Sequence, residues 1–237
     1  MYLLSHNLFD MDGMSEVVNN LIDKLSQGVG WVVMHPTPKR IATQQYIEDI
    51  KNKDYDPLTK AALIRNAEKS IKEYSNQYNI LQFAMQSLNE NSHPEQVDED
   101  WLSIFMDKTR LVSSNEFQNI WGKILAAECN RCGSIPRSLL YVLSQMDRGD
   151  AEAFTILCSL SLNVEDDYSP FVIIRRFDEY KKWGINYDKM LNLSSLGLIE
   201  MNLGPLAIAI LLNVILLQQR LNIMIMNTSL IIKIQLV

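Results

Sequence analysis

The tract Val97–Cys132, VDEDWLSIFMDKTRLVSSNEFQNIWGKILAAECNRC, constrains the fold more than any other part of this chain. It packs two helix starts, two tryptophans and a strong helix stop into one continuous run. Asp98 suits an N-cap, because a carboxylate there accepts from first-turn N–H groups. Val97 and Leu102 take the two positions of a hydrophobic staple. Glu99 and Asp100 fall where the helix dipole favours negative charge. Trp101, Ile104 and Phe105 then share one face. A second start follows: Ser113 and Glu116 have the S-x-x-E capping-box spacing, with Val112 and Phe117 as staple. This helix carries Phe117, Ile120, Trp121, Ile124 and Leu125 on one face. Gly122 and Ala126, four apart, leave room for another helix to approach closely. Gly133 and then Pro136 end it.

One residue of the tract does not fit this pattern. Glu128 continues the apolar stripe and sits near a helix C-terminus, where an anion is disfavoured. The expectation is a lysine or arginine partner on a neighbouring helix, or escape to solvent. Trp101, Gln118, Trp121 and Glu128 are therefore the candidates for an interaction site or a buried polar site. Cys129 and Cys132 make a lone C-x-x-C at the end of a helix. Zinc needs further ligands at matching spacing, and the histidines, His6, His35 and His93, are all distant in sequence. The pair is read as coincidence. No cofactor and no metal is expected, and no residue set has the form of a catalytic site, which argues for a non-enzymatic protein.

Around the tract, helical patterning dominates. Val17, Val18, Leu21, Ile22 and Leu25 predict a helix over Ser15–Gln27 with Gly28 as its stop. Trp31–Met34 predicts a buried crossing or a short strand, being too short to span a bilayer. A helix over Lys39–Lys53 and a turn at Tyr55-Asp56-Pro57 lead into the longest candidate, Leu58–Glu90. There Ile64, Ala67, Ile71, Tyr74, Tyr78, Leu81, Met85 and Leu88 form a heptad seam. The seam predicts a hairpin with the preceding helix, or a coiled coil between chains. Further on, helices are predicted over Arg137–Met146, Asp150–Leu162, Pro170–Trp183 (proline at N1) and Tyr187–Ser195, the last capped by Asn186. Leu196-Gly197-Leu198-Ile199 resembles the exit of a winged-helix recognition helix into a β-hairpin wing.

From residue 201 the composition changes: residues 201–237 contain no Asp or Glu, and their bases are Arg220 and Lys233. Three readings of this tail stand open. It is the hairpin and last core element of the winged-helix unit, with Leu221–Met226 and Leu230–Val237 as strands. Alternatively it is a membrane-seeking or oligomer-forming segment through residues 203–217. The third reading is a foreign reading frame.

These readings give a mainly α fold: an N-terminal helical hairpin, a central helical core, and a C-terminal winged-helix-like unit with a β-hairpin. The regions are 1–92, 93–148 and 149–237. The net charge of −6 argues against general affinity for phosphate backbones or acidic membranes. Three cysteines do not suggest a disulfide scaffold. The first residues, MYLLSHNLFDMDG, lack a basic region and a long apolar run, which points to the cytoplasm.

The stretch DEDWLSIFMDKTRLVSSNEFQNIWGKILAAEC, followed by GSIPRSLLYVLSQMDRGDAEAF, resembles the bacterial domain of unknown function family 2806. Members share an acidic Asp-Trp start, seen here as Asp100-Trp101. They share a Val-Ser to Glu run carried here by Val112, Ser113, Gln118, Trp121, Ile124, Leu125, Ala126 and Glu128. A later helix opens with Asp-Ala, here Asp150-Ala151. The resemblance covers about residues 15–200 and implies no reaction. A looser resemblance to abortive-infection and mobile-element proteins implies a role in phage defence. The expectation is a helical interaction or regulatory protein with a protein partner or a second copy. The alternatives are a membrane-acting effector and a winged-helix DNA regulator.

Overall fold

The computed structural model describes residues 14–31, 39–159, 162–164, 167–173, 180–202 and 208–211. The chain is mainly helical and divides into two compact units, Met1–Arg137 and Ser138–Val237.

The first unit is built from α1 (Met14–Val29), α2 (Lys39–Lys51), α3 (Pro57–Met85), α4 (Glu99–Thr109) and α5 (Asn115–Asn130). Helix α1 buries Val17, Leu21 and Leu25, the predicted stripe. It runs past Gly28, the predicted stop, because Gly30 supplies the left-handed turn at φ 66°. Gly30 N–H then bonds Ser26 O and Trp31 N–H bonds Leu25 O, both at 3.1 Å. Trp31 is buried, stacks on Tyr74 with ring centroids 5.1 Å apart, and donates to Gln77 Oε1 at 3.2 Å. The rest of the Trp31–Met34 run lies outside the described residues.

Helix α3 starts where the turn residues place it. Asp56 caps it by accepting from Leu58 and Thr59 N–H at 3.0 Å, and Pro57 occupies the first turn. Helix α2 packs on α3. Toward the C-terminal end of the seam, Leu81, Met85 and Leu88 are buried, and there α3 packs on α5. Gly122 makes that approach possible. A Cβ at this position would lie 2.5 Å from Phe83 Cβ and 2.7 Å from Ile80 O. The aromatic centre joins α4 to α5: Trp101 stacks on Phe105 at 5.3 Å, and Phe105 meets Trp121 edge-on at 5.5 Å.

The second unit holds α6 (Arg137–Gln145, whose first residue closes the first unit), α7 (Arg148–Ser159), β1 (Leu162–Val164), β2 (Asp167–Ile173), α8 (Tyr187–Ser195), β3 (Ile199–Asn202) and β4 (Ile208–Leu211). Its core gathers Phe154 and Leu157 of α7, Ile185, Met190 and Leu193 around α8, and Leu198 and Ile199 leading into β3. The strands form one antiparallel sheet of order β1-β2-β4-β3. In register, Phe171 faces Ile210, and Ile199 faces Leu211.

Pro170 corrects the sequence reading: it lies in strand β2, not at the start of a helix over 170–183. The run Phe171-Val172-Ile173 is β-branched and aromatic, and it finds Ile208–Ile210 as a partner. The proline falls where the β1–β2 register shifts, between the pairs Leu162/Phe171 and Val164/Asp167, so its missing N–H is tolerated. Of the predicted helix, Lys181–Trp183 form a single 3₁₀ turn, and residues 174–179 lie outside the described residues.

Candidate functional site

Helix α5 carries three of the four candidate residues, and its C-terminal end organises the polar site. Glu128 is 2% exposed. Its partner is neither a base nor solvent, which corrects the expectation. Oε1 accepts the Gly133 N–H at 2.6 Å, and Oε2 accepts the Ile135 N–H at 2.7 Å and the Ser134 hydroxyl at 3.4 Å. The carboxylate thus binds backbone donors of the segment that follows its own helix. Burying a carboxylate without such partners costs several kcal/mol. Bonds to a charged acceptor offset that cost at about 1.5–3 kcal/mol each. Both oxygens are engaged, an arrangement that anchors the segment after α5.

Trp101 meets Glu128 at this same segment. Its indole N–H donates to Ile135 O at 2.8 Å, and the ring is buried. Gln118 lies at the opposite end of α5, ten positions from Glu128, or about 15 Å along the axis at 1.5 Å per residue. Its amide donates to Val112 O at 2.9 Å and accepts from Asn79 Nδ2 at 3.3 Å. Beside it, buried Asn76 donates to Arg110 O at 2.9 Å. This amide layer satisfies the carbonyls of the α4–α5 connection. Trp121 sits between the two ends, 1% exposed, in the aromatic core. The four candidates therefore occupy two polar places and one apolar one.

The helix starts show one agreement and one correction. Asp98 caps α4 by accepting the Trp101 N–H at 2.8 Å. That bond, with Arg137 at 2.6 Å, holds the Asp98 carboxyl below its ordinary range. Arg137 also reaches Asp100 at 3.0 Å. Helix α5 starts one residue later than the Ser113/Glu116 spacing places it, with Ser114 as N-cap and no cap bond from the Ser114 side chain. Ser114 O already accepts the first helical N–H, that of Gln118 at 2.8 Å, which moves the start past Ser113.

Sequence reading missed several polar anchors. Asn130 receives the Asn89 N–H at 3.0 Å and the Ser92 hydroxyl, and its amide donates to Ser87 O at 3.2 Å. Asp150 is 4% exposed and accepts from Asn192 Nδ2 at 2.6 Å, tying α7 to α8. Asp147 and Asp150 also cap one another reciprocally, each accepting the other's backbone N–H, at 2.8 and 3.1 Å. The D-x-x-D spacing was the available signal for that pair. Among the described residues Cys129, Cys132 and Cys158 form no disulfide. Burial pushes the Cys129 and Cys132 thiols up, and it pushes Cys158 up to about 12. Among the described residues no three His, Cys, Asp or Glu side chains form a metal-binding group. Among them, too, no helix is long and apolar enough to cross a membrane.

Compared with known proteins, the chain matches no curated protein and no solved structure. A family model does match, over residues 60–236. The match begins later than the resemblance read from the motif and takes in the acid-free tail, which weighs against a foreign reading frame. It also spans both polar ends of α5 and the Asp150 tie. Covering most of the chain, it places this protein in the family described as "Protein of unknown function (DUF2806)".

Proposed function

We propose that this chain is a non-enzymatic helical interaction or regulatory protein whose second unit is winged-helix-like and contacts protein. The observation that carries this reading is the outward face of α8. Met190 and Leu193 of that helix are buried, while Tyr187, Asp188, Leu191 and Ser195 point out. Leu191 is 53% exposed. The one base of α8, Lys189, is folded back toward α7: a Cβ at Gly149 would lie 2.2 Å from its Nζ. A helix that reads DNA presents bases to phosphates and base edges. This one presents an apolar and acidic face.

The winged-helix reading is supported by topology. Helix α8 feeds β3, β3 pairs with β4, and β4 returns to β2. The same sheet bears on the membrane-effector alternative. Ile208–Leu211, in the middle of the apolar stretch 203–217, is a strand paired on both sides, which favours a core element there. The predicted strands Leu221–Met226 and Leu230–Val237 lie outside the described residues. A role in phage defence rests on the looser resemblance alone.

The test compares partner capture by the native chain and by Leu191→Asp in the source cell, with the oligomer size of each. The reading expects a defined partner or a second copy that Leu191→Asp loses. A monomer whose captured proteins are unchanged by Leu191→Asp sinks it. Salt-sensitive binding to duplex DNA at low salt would instead favour the DNA regulator.

A further inference from the structure

The chain leaves the first unit through residues 131–137, an irregular segment held from several sides. Glu128 binds the N–H groups of Gly133 and Ile135, and Trp101 binds the Ile135 carbonyl. The Cys132 thiol reaches His93 O at 3.2 Å. Arg137, at the far end, is gripped by Asp98 and Asp100. Pro136 stiffens the backbone between the inner and outer contacts.

We propose that Trp101, Glu128 and Arg137 form a clamp, a conformational device that holds this exit segment closed and can release it without unfolding the helices behind it. The division of contacts supports local release. The segment is held mainly through polar bonds to its backbone, and Ile135 is its one buried apolar side chain. Helices α4 and α5 bury Phe105, Trp121, Ile124 and Leu125, and Phe105 meets Trp121 edge-on. Irregular segments with few apolar contacts open at lower free energy than packed helices. The inner part of the clamp is buried and the outer part exposed, so Glu128 and Trp101 set its strength and Arg137 adds less. The proposal is independent of the reading of α8.

The amides that Glu128 binds provide the measurement of local opening, and the buried thiols Cys129 and Cys158 that of global opening. Hydrogen exchange of Gly133 and Ile135 in the full chain is read beside alkylation of the two thiols by N-ethylmaleimide. Glu128→Gln should raise exchange at both amides about tenfold, the loss of roughly one charge-assisted hydrogen bond. The Cys129 and Cys158 alkylation rates should stay unchanged. Arg137→Ala should give a smaller rise of the same pattern. Unchanged exchange at Gly133 and Ile135, or a rise of amides and buried thiols together, overturns the clamp. If Glu128→Gln does not fold, Trp101→Phe removes the indole N–H while keeping a ring against Phe105, and the same two outcomes decide.

Discussion

Helices α5 and α8 use their residues in opposite ways. Nine of the sixteen residues of α5 are buried, polar Gln118 and Glu128 among them, and each of those two is bound to backbone within its own unit. In α8 two of nine are buried, and the large side chains Tyr187 and Leu191 face outward. The family motif is concentrated on α5, so the residues that identify the family are those that hold the first unit together. The exposed Tyr187 and Leu191 belong to the helix with the weaker sequence signature. In this molecule a dense motif marks architecture.

The largest test of that contrast is Trp121→Ala. A ring lost from a full core should cost about 3–5 kcal/mol, seen as a lower urea midpoint; a loss under 1 kcal/mol would mean that α5 is not the centre. Gly122→Ala comes next. Its added methyl meets the Ile80 and Ala84 backbone as well as Phe83. Overpacking of this kind costs about 1–3 kcal/mol, and a neutral result in thermal melts would show that α3 and α5 separate easily.

A third test treats the two units side by side. The Cys129 and Cys158 thiols are raised from 9.0, Cys158 to about 12. Below pH 9 both are protonated in folded and unfolded chains alike. Above it the unfolded chain ionises first, so stability falls as pH rises toward the folded values. The slope is at most about 1.4 kcal/mol per pH unit for each thiol. Cys158→Ala should flatten the fall between pH 9 and 12, and equal slopes with and without that thiol would contradict its burial. The smallest expected effect on stability is that of Leu191→Asp, within about 0.5 kcal/mol. A clear drop in melting temperature would mean that the α8 face is covered within the chain.

Much of the helical frame was legible in the sequence, because its signals are local. Asp98, Asp56 and Asn186 act within three residues of themselves, and the α8 bounds, Tyr187–Ser195, follow from cap and period. Gly122 announced a close approach, although not the helix that makes it. The failures share a different cause. The place of Glu128 in the sequence predicts a charged partner, but its partners are backbone N–H groups, which every residue except proline carries and which leave no trace in composition. Ser169-Pro170 has the local form of a helix start, and the strand that pairs with the residues after it, Ile208–Leu211, is distant in sequence. Gly28 and Gly30 are both plausible stops, and only the left-handed turn at Gly30 decides between them. The α5 start differs from the Ser113 spacing by one residue, which is the usual margin of helix ends.

The position of β4 in its sheet has a consequence for the order in which the molecule assembles. Strands β2 and β3 have no pairing with each other; β4 lies between them, with Ile210 opposite Phe171 on one side and Glu200 on the other. In the first unit each helix closes its own hydrogen bonds locally as the ribosome delivers it. The second unit must wait for Ile208–Leu211 before its sheet can join, and non-local pairing of this kind is slow. During that interval the edges of β2 and β3 stand open to other chains. Crowded synthesis is therefore the condition under which the second unit is most exposed to mispairing.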